Sequence, residues 1–162
     1  MKVIGIDPGY DRMGVAVLEK IDGKETCLFS TCVETEKTET IAERLAQLGN
    51  ELTDIIATHH PTVLAIETIF FNKNIKTAIA VAEARGVILY LAASHHLPVF
   101  EYSPQQIKVA ATGYGASNKD AVTDMVKKFV NNIPDQALDD EYDAIAVALT
   151  CLVSERLSPN PA

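Results

Sequence analysis

Apolar and polar positions alternate in two regimes along the 162-residue chain. Short apolar runs bounded by glycine, proline or charge come first: "KVIGI", "GVAVLEK" and "KETCLFSTCVETE" read as three strands, with Asp22 and Gly23 as a hairpin turn between the last two. The period then lengthens. Thr40 and Glu43 have capping-box spacing, and Ile41, Leu45, Leu48, Leu52, Ile55 and Ile56 recur at helical intervals, which predicts an amphipathic helix over 40–58. "TVLAIET" is a fully apolar fourth strand, an alanine-rich helix follows from about Asn74, and "PVFEYS" is a fifth strand. Ser103 with Pro104 marks a capped helix start, and two more helices follow Ser117 and Asp139. In "TGYGASNKD", two glycines and a Ser117/Asp120 capping box predict a loop feeding a helix.

The order βββαβαβααα predicts an α/β fold: a five-stranded mixed sheet, with an antiparallel three-strand meander plus parallel strands joined by helical crossovers, flanked by helices on both faces. At 48% hydrophobic the chain fits one domain, over 1–157, with 158–162 expected to fray. Met1 and Lys2 lead straight into "VIGI", and no apolar stretch is expected to approach the roughly 18 residues of a membrane span. A soluble, cytoplasmic protein without membrane contact is the expectation. Cys27, Cys32 and Cys151 are odd in number and lack CxxC spacing, so reduced thiols are expected rather than disulfides or zinc. The pairs at His59 and His60 and at His95 and His96 each precede a proline-marked strand start and read as helix C-termini.

A net charge of -8 argues at first against a nucleic-acid partner. Its distribution alters the picture. Residues 17–54 and 133–162 each carry -5, whereas 68–132 carries +3, through Lys73, Lys76, Arg85, Lys108, Lys119, Lys127 and Lys128 against four acids.

In sheets with parallel strands, chemistry gathers beyond the carboxyl ends, where the connections switch direction. Asp7 ends the first strand and Glu67 the fourth. If those strands are neighbours, the two acids lie about 5 Å apart. Like charges that close repel unless a cation separates them, and hard divalent ions such as Mg²⁺ prefer oxygen ligands. An Asp before Pro-Gly serves equally well as a turn former. The last helix adds Asp140 and Asp143, three apart on one face, with "AIAVAL" behind them. Four carboxylates suit two ions about 3.5–4 Å apart, able to activate water and stabilise a leaving oxygen in phosphoryl transfer. Asp139 and Glu141 point elsewhere and read as a cap and a solvated charge.

"GIDPG", "AIETIFFNKN", "EARG", "PQQIK", "GYG" with "NKD", and "DDEYDAIAVAL" together, in this order over nearly the whole chain, resemble the RuvC-type Holliday-junction resolvases. The resemblance implies an RNase H-like fold, a homodimer, and Mg²⁺-dependent symmetrical nicking of four-way junction DNA that leaves 5′-phosphate and 3′-hydroxyl ends. Two Mg²⁺ ions per site are implied, with Mn²⁺ able to substitute, and a branch-migration helicase complex is a further implied partner. The family's catalytic and metal-binding acids fall on Asp7, Glu67, Asp140 and Asp143, and its active-site lysines on Lys108 and Lys119. Phe70 or Phe71 stands where the family places an aromatic at the junction centre, where a ring stacks on an opened base. Asn72, Lys73, Asn74, Lys76 and Arg85, with both active-site lysines, complete the expected DNA-binding set as phosphate contacts. Two features depart from the pattern: Met13 stands where the family commonly has a hydroxyl, and the chain is acidic for a junction binder.

Three other readings remain open at this level. A YqgF-like RNase H-fold protein of ribosomal RNA processing shares the opening strand, but the double acid on the last helix argues against it. The phosphate loop of actin-like sugar kinases is similar to "IDPGYDRMG", but that fold needs a second domain. A non-catalytic junction-binding subunit would not need the acids intact.

Overall fold

The computed structural model describes residues 1–69 and 75–155, and the tail at 158–162 lies outside them. Strands β1 (Lys2–Asp7), β2 (Arg12–Ile21) and β3 (Lys24–Glu34) form the antiparallel meander. Asp22 and Gly23 turn the chain at φ 49° and 83°, the left-handed pair that a two-residue hairpin requires. Helix α1 (Ile41–His59) starts at Thr40, whose hydroxyl and the Glu43 carboxylate close the expected capping box. Next come β4 (Val63–Glu67), α2 (Ile75–Ser94), β5 (Val99–Tyr102), α3 (Pro104–Thr112), α4 (Lys119–Phe129), β6 (Val130–Asn131) and α5 (Asp139–Ser154).

The sheet order is β5-β4-β1-β2-β3-β6, with β4 parallel to both β1 and β5. Among the described residues the sheet thus has six strands rather than the expected five, because β6 runs parallel to the edge of β3. Its two residues are too few to show any period. The alternation of strand residues builds two apolar layers. Ile4, Ile6, Val15, Val17, Leu64 and Ile66 pack with Leu48, Leu52 and Ile55 of α1 and Ala84, Ile88 and Ala92 of α2. Met13 joins this layer, fully buried, so its side chain serves packing. On the opposite face, Val3, Ala16, Leu18, Val63 and Ala65 pack with α3, α4 and α5.

Two sequence expectations change here. The α4 cap is Asn118, which accepts from the Ala121 N–H, rather than Ser117, whose hydroxyl bonds Thr112 and the Tyr114 carbonyl. The segment Thr77–Ser94 of α2, with a mean hydropathy of 1.4 over 18 residues and 17% of it buried, is long and apolar enough to cross a membrane by length and composition. The expectation that no stretch approaches that limit therefore does not hold. The histidines behave as read, with His59 ending α1 and His60 as its left-handed cap. The three cysteines are free, Cys27 and Cys151 buried and Cys32 half-buried.

Candidate active site

Register brings the first two acids together. Ile6 pairs with Ile66 across the parallel β1 and β4, so Asp7 and Glu67 follow side by side at the carboxyl ends. By alternation both belong to the face that carries Val3, Val63 and Ala65, the face covered by α5. Two glycines let α5 lie directly on the strands: a Cβ at Gly14 would collide with the Asp140 carbonyl oxygen, and one at Gly5 with that of Ala144. The first turns of α5, with Asp140 and Asp143, are thereby seated over β1 and β2.

The electrostatics follow from this crowding. Asp7 is pushed up from 3.8 to about 7, first by burial and then by Glu67, Asp143 and Asp140, with Lys119 opposing. Glu67 rises from 4.5 to about 7, again first by burial and then by Asp143, with Lys108 and Lys119 opposing. Asp143 accepts from Lys119 Nζ at 2.8 Å, a hydrogen bond that holds the ammonium above its usual range. Asp140 Oδ2 lies 2.7 Å from Nη2 of Arg12, a residue outside the set expected from the sequence. Arg12 also meets Glu34 at 3.6 Å and donates from Nε to Cys32 Sγ at 3.5 Å. Its position beside Gly14, at the start of the strand under α5, was the available signal.

Among the described residues no three acidic, histidine or cysteine side chains are set closely enough to hold an ion as they stand. Asp140 is turned to Arg12, and Asp143 to Lys119. The donor chemistry nevertheless fits a hard divalent cation: every donor is a carboxylate oxygen, and the two half-buried members are raised by burial and then by neighbouring acids. Beside them lies a cleft of about 210 Å³ lined by Glu67, Lys108, Lys119 and Asp143, with Pro104, Ile107, Val122 and Ala146 as an apolar floor. Lys119 thus bonds Asp143 directly, and Lys108 lines the same cleft as Glu67 and opposes its rise.

Two assignments change, and a third residue meets partners within the fold. Asp139 is solvated as expected, its side chain 86% exposed, but the α5 cap position is Leu138. Glu141 is buried rather than solvated: Oε2 accepts from Ser30 Oγ at 2.5 Å and Oε1 from the Leu138 N–H at 3.0 Å. Arg85, expected on a phosphate, donates to the Glu67 carbonyl and pairs with the Glu101 carboxylate. Phe70, Phe71, Asn72, Lys73 and Asn74 lie outside the described residues, as does the side chain of Lys76.

The family model for crossover junction endodeoxyribonuclease RuvC matches residues 3–151. A Thermosipho melanesiensis protein of that name is 42% identical over 156 residues, covering 96% of this chain and 99% of the relative. One from Prochlorococcus marinus is 40% identical over 150 residues, covering 93% and 97%. Thermus thermophilus RuvC, solved in complex with a Holliday junction substrate, superposes with a TM-score of 0.90 at 30% identity over 97% of this chain and 96% of that one. The yeast mitochondrial resolvase Ydc2, at 15% identity, shares the fold with a TM-score of 0.66 over 91% of this chain and 76% of its own.

Proposed function

Since the chain belongs to the RuvC family of crossover junction endodeoxyribonucleases, we propose that Asp7, Glu67, Asp140 and Asp143 form the ion-binding centre with which it resolves four-way DNA junctions. The chain is a Holliday-junction-resolving endonuclease, a hydrolase acting on DNA. The observation that carries the site assignment is the placement of Asp7 and Glu67 at adjacent strand ends, each next after the paired Ile6 and Ile66, both raised to about 7 under the start of α5.

The four carboxylates would hold two Mg²⁺ ions, with Mn²⁺ as a substitute. When bound, these ions supply an activated water and charge stabilisation at the leaving oxygen. Lys119 and Lys108, on the rim of the cleft, neutralise the phosphate as charge develops on its oxygens. Water adds to phosphorus, the bond to O3′ breaks, and the leaving oxygen takes a proton, so the nick carries a 5′-phosphate and a 3′-hydroxyl. Phe70 or Phe71 stacks at the opened junction centre, while Asn72, Lys73, Asn74 and Lys76 hold phosphates. A homodimer places two such centres on the two symmetric strands, and a branch-migration helicase complex presents the junction. The setting is cytoplasmic, in keeping with three free cysteines.

The test is incubation of the protein and its Asp7→Asn variant with a synthetic four-way junction, a linear duplex and an RNA hairpin, with and without Mg²⁺. The expected outcome is paired nicking of the junction, by the wild type only and with Mg²⁺ only. An uncut junction, or a variant that cuts as well as the wild type, sinks the assignment.

A further inference from the structure

Arg85 is a cation on a helix next to a DNA-processing site, and such a residue ordinarily points its guanidinium at solvent to meet phosphates. Here it does the opposite. Its side chain is 15% exposed, and NH2 lies 2.6 Å from Glu101 Oε2. NH1 donates to the main-chain carbonyl of Glu67 at 3.1 Å. Glu101 belongs to β5, which runs parallel to β4 with Ile66 opposite Glu101 and Glu67 opposite Tyr102. The planar fork therefore spans the carboxyl ends of two neighbouring strands from a third element. Ala84 and Ile88, 1% exposed, pin α2 to the sheet on either side of it in sequence.

Glu67 is the last residue of β4, where strand pairing gives out. Just past it, the Thr68 N–H still bonds the Tyr102 carbonyl at 2.9 Å. The Glu67 carbonyl and the Thr68 N–H belong to one planar peptide, and the orientation of that peptide aims the strand-end carboxylate. The Arg85 bond holds the peptide at its second polar group, so it is fixed from both sides, and Glu101 in turn fixes the guanidinium with a charge-assisted pair. We propose that Arg85 is a positioning residue: with Glu101 it orients Glu67 for ion binding, and it does not contact DNA. This rests on the reading of the four carboxylates as the ion-binding set.

The discriminating variants are Arg85→Lys and Glu101→Gln, with Asp7→Asn as control. Mn²⁺ binding is followed by titration calorimetry, and junction affinity by anisotropy in Ca²⁺ over a range of salt. Lysine keeps the charge but cannot span two acceptors in a fixed plane. The expected result is Mn²⁺ binding weakened by about tenfold in Arg85→Lys, and in the same direction in Glu101→Gln, with junction affinity within about twofold of wild type. A phosphate contact would behave in reverse: lysine would rescue, Mn²⁺ binding would stay unchanged, and Arg85→Gln would lower the salt slope by about one. That pattern overturns the proposal. Wild-type Mn²⁺ binding that survives Asp7→Asn intact would instead remove the ion-binding set itself, an outcome separate from either pattern.

Discussion

Burial first, and neighbouring acids second, raise the Asp7 and Glu67 carboxyls, and this couples the stability of the folded chain to pH. Their ordinary values of 3.8 and 4.5 rise to about 7. A raised folded-state value means that the native state binds these protons more tightly than the unfolded one. The resulting stability is fully present below about pH 4 and is lost as pH rises through about 7. Chelator-treated protein is therefore expected to melt several degrees lower at pH 8 than at pH 5, with Asp7→Asn flattening that slope. A divalent ion should restore the loss at pH 8 and do little at pH 5, because it binds the ionised form. Thermal melts of both proteins across pH 5 to 8 check this, and equal slopes for the two would show that the crowding does not act as described.

At the scale of the element, α5 decides the site, and its start is held from inside the protein. Leu138 at the cap position offers no side-chain acceptor, so the helix borrows one from its third residue: Glu141 takes the Leu138 N–H and ties the first turn to Ser30 of β3. Asp140 and Asp143 flank that anchor. Glu141→Ala removes both bonds and is expected to cost about 1–3 kcal/mol, whereas Glu141→Gln keeps an acceptor for the cap, costs less than about 1 kcal/mol, and leaves cleavage nearly unchanged. Urea titration measures the two, and an alanine variant as stable as wild type would contradict the anchor. None of this was legible beforehand, because the apolar run behind Asp143 covers nearly every face of the helix and gives no direction to its neighbours. What alternation and capping chemistry announce locally was legible: the meander, the hairpin turn, the Thr40 capping box, the Ser103 cap, and the strand-end acids. What failed depended on partners remote in sequence. Arg85 shows only a cation until Glu101 stands beside it, β6 exists only because β3 offers an edge, and Ser117 loses the α4 cap to Asn118 because Thr112 engages its hydroxyl.

At the scale of the whole molecule, the outer side of α2 is an exposed apolar face that the site does not use. One side of this helix is fastened in the core through Ala84, Ile88 and Ala92. The opposite side exposes Ile79 at 54% and Tyr90 at 70%, with Ala82, Gly86 and Ala93 between and beyond them at helical spacing. Length and composition alone would admit the helix to a bilayer. Withdrawing it from the sheet would, however, tear open one of the two apolar layers and strip Arg85 from Glu67 and Glu101. A second copy meets the same apolar demand without that cost, since small residues let two such helices approach closely and a two-fold axis repeats the patch against itself. It also suits the substrate, because a four-way junction presents two equivalent strands to be cut. The protein is thus expected to sediment as a dimer at micromolar concentration. Tyr90→Glu, placing a charge in the middle of the contact, should give monomers of about 17.6 kDa that remain folded but lose paired nicking. Sedimentation velocity on both, with circular dichroism to establish folding, separates the cases: a monomeric wild type refutes the α2 interface, and a variant that stays dimeric moves the contact to another face.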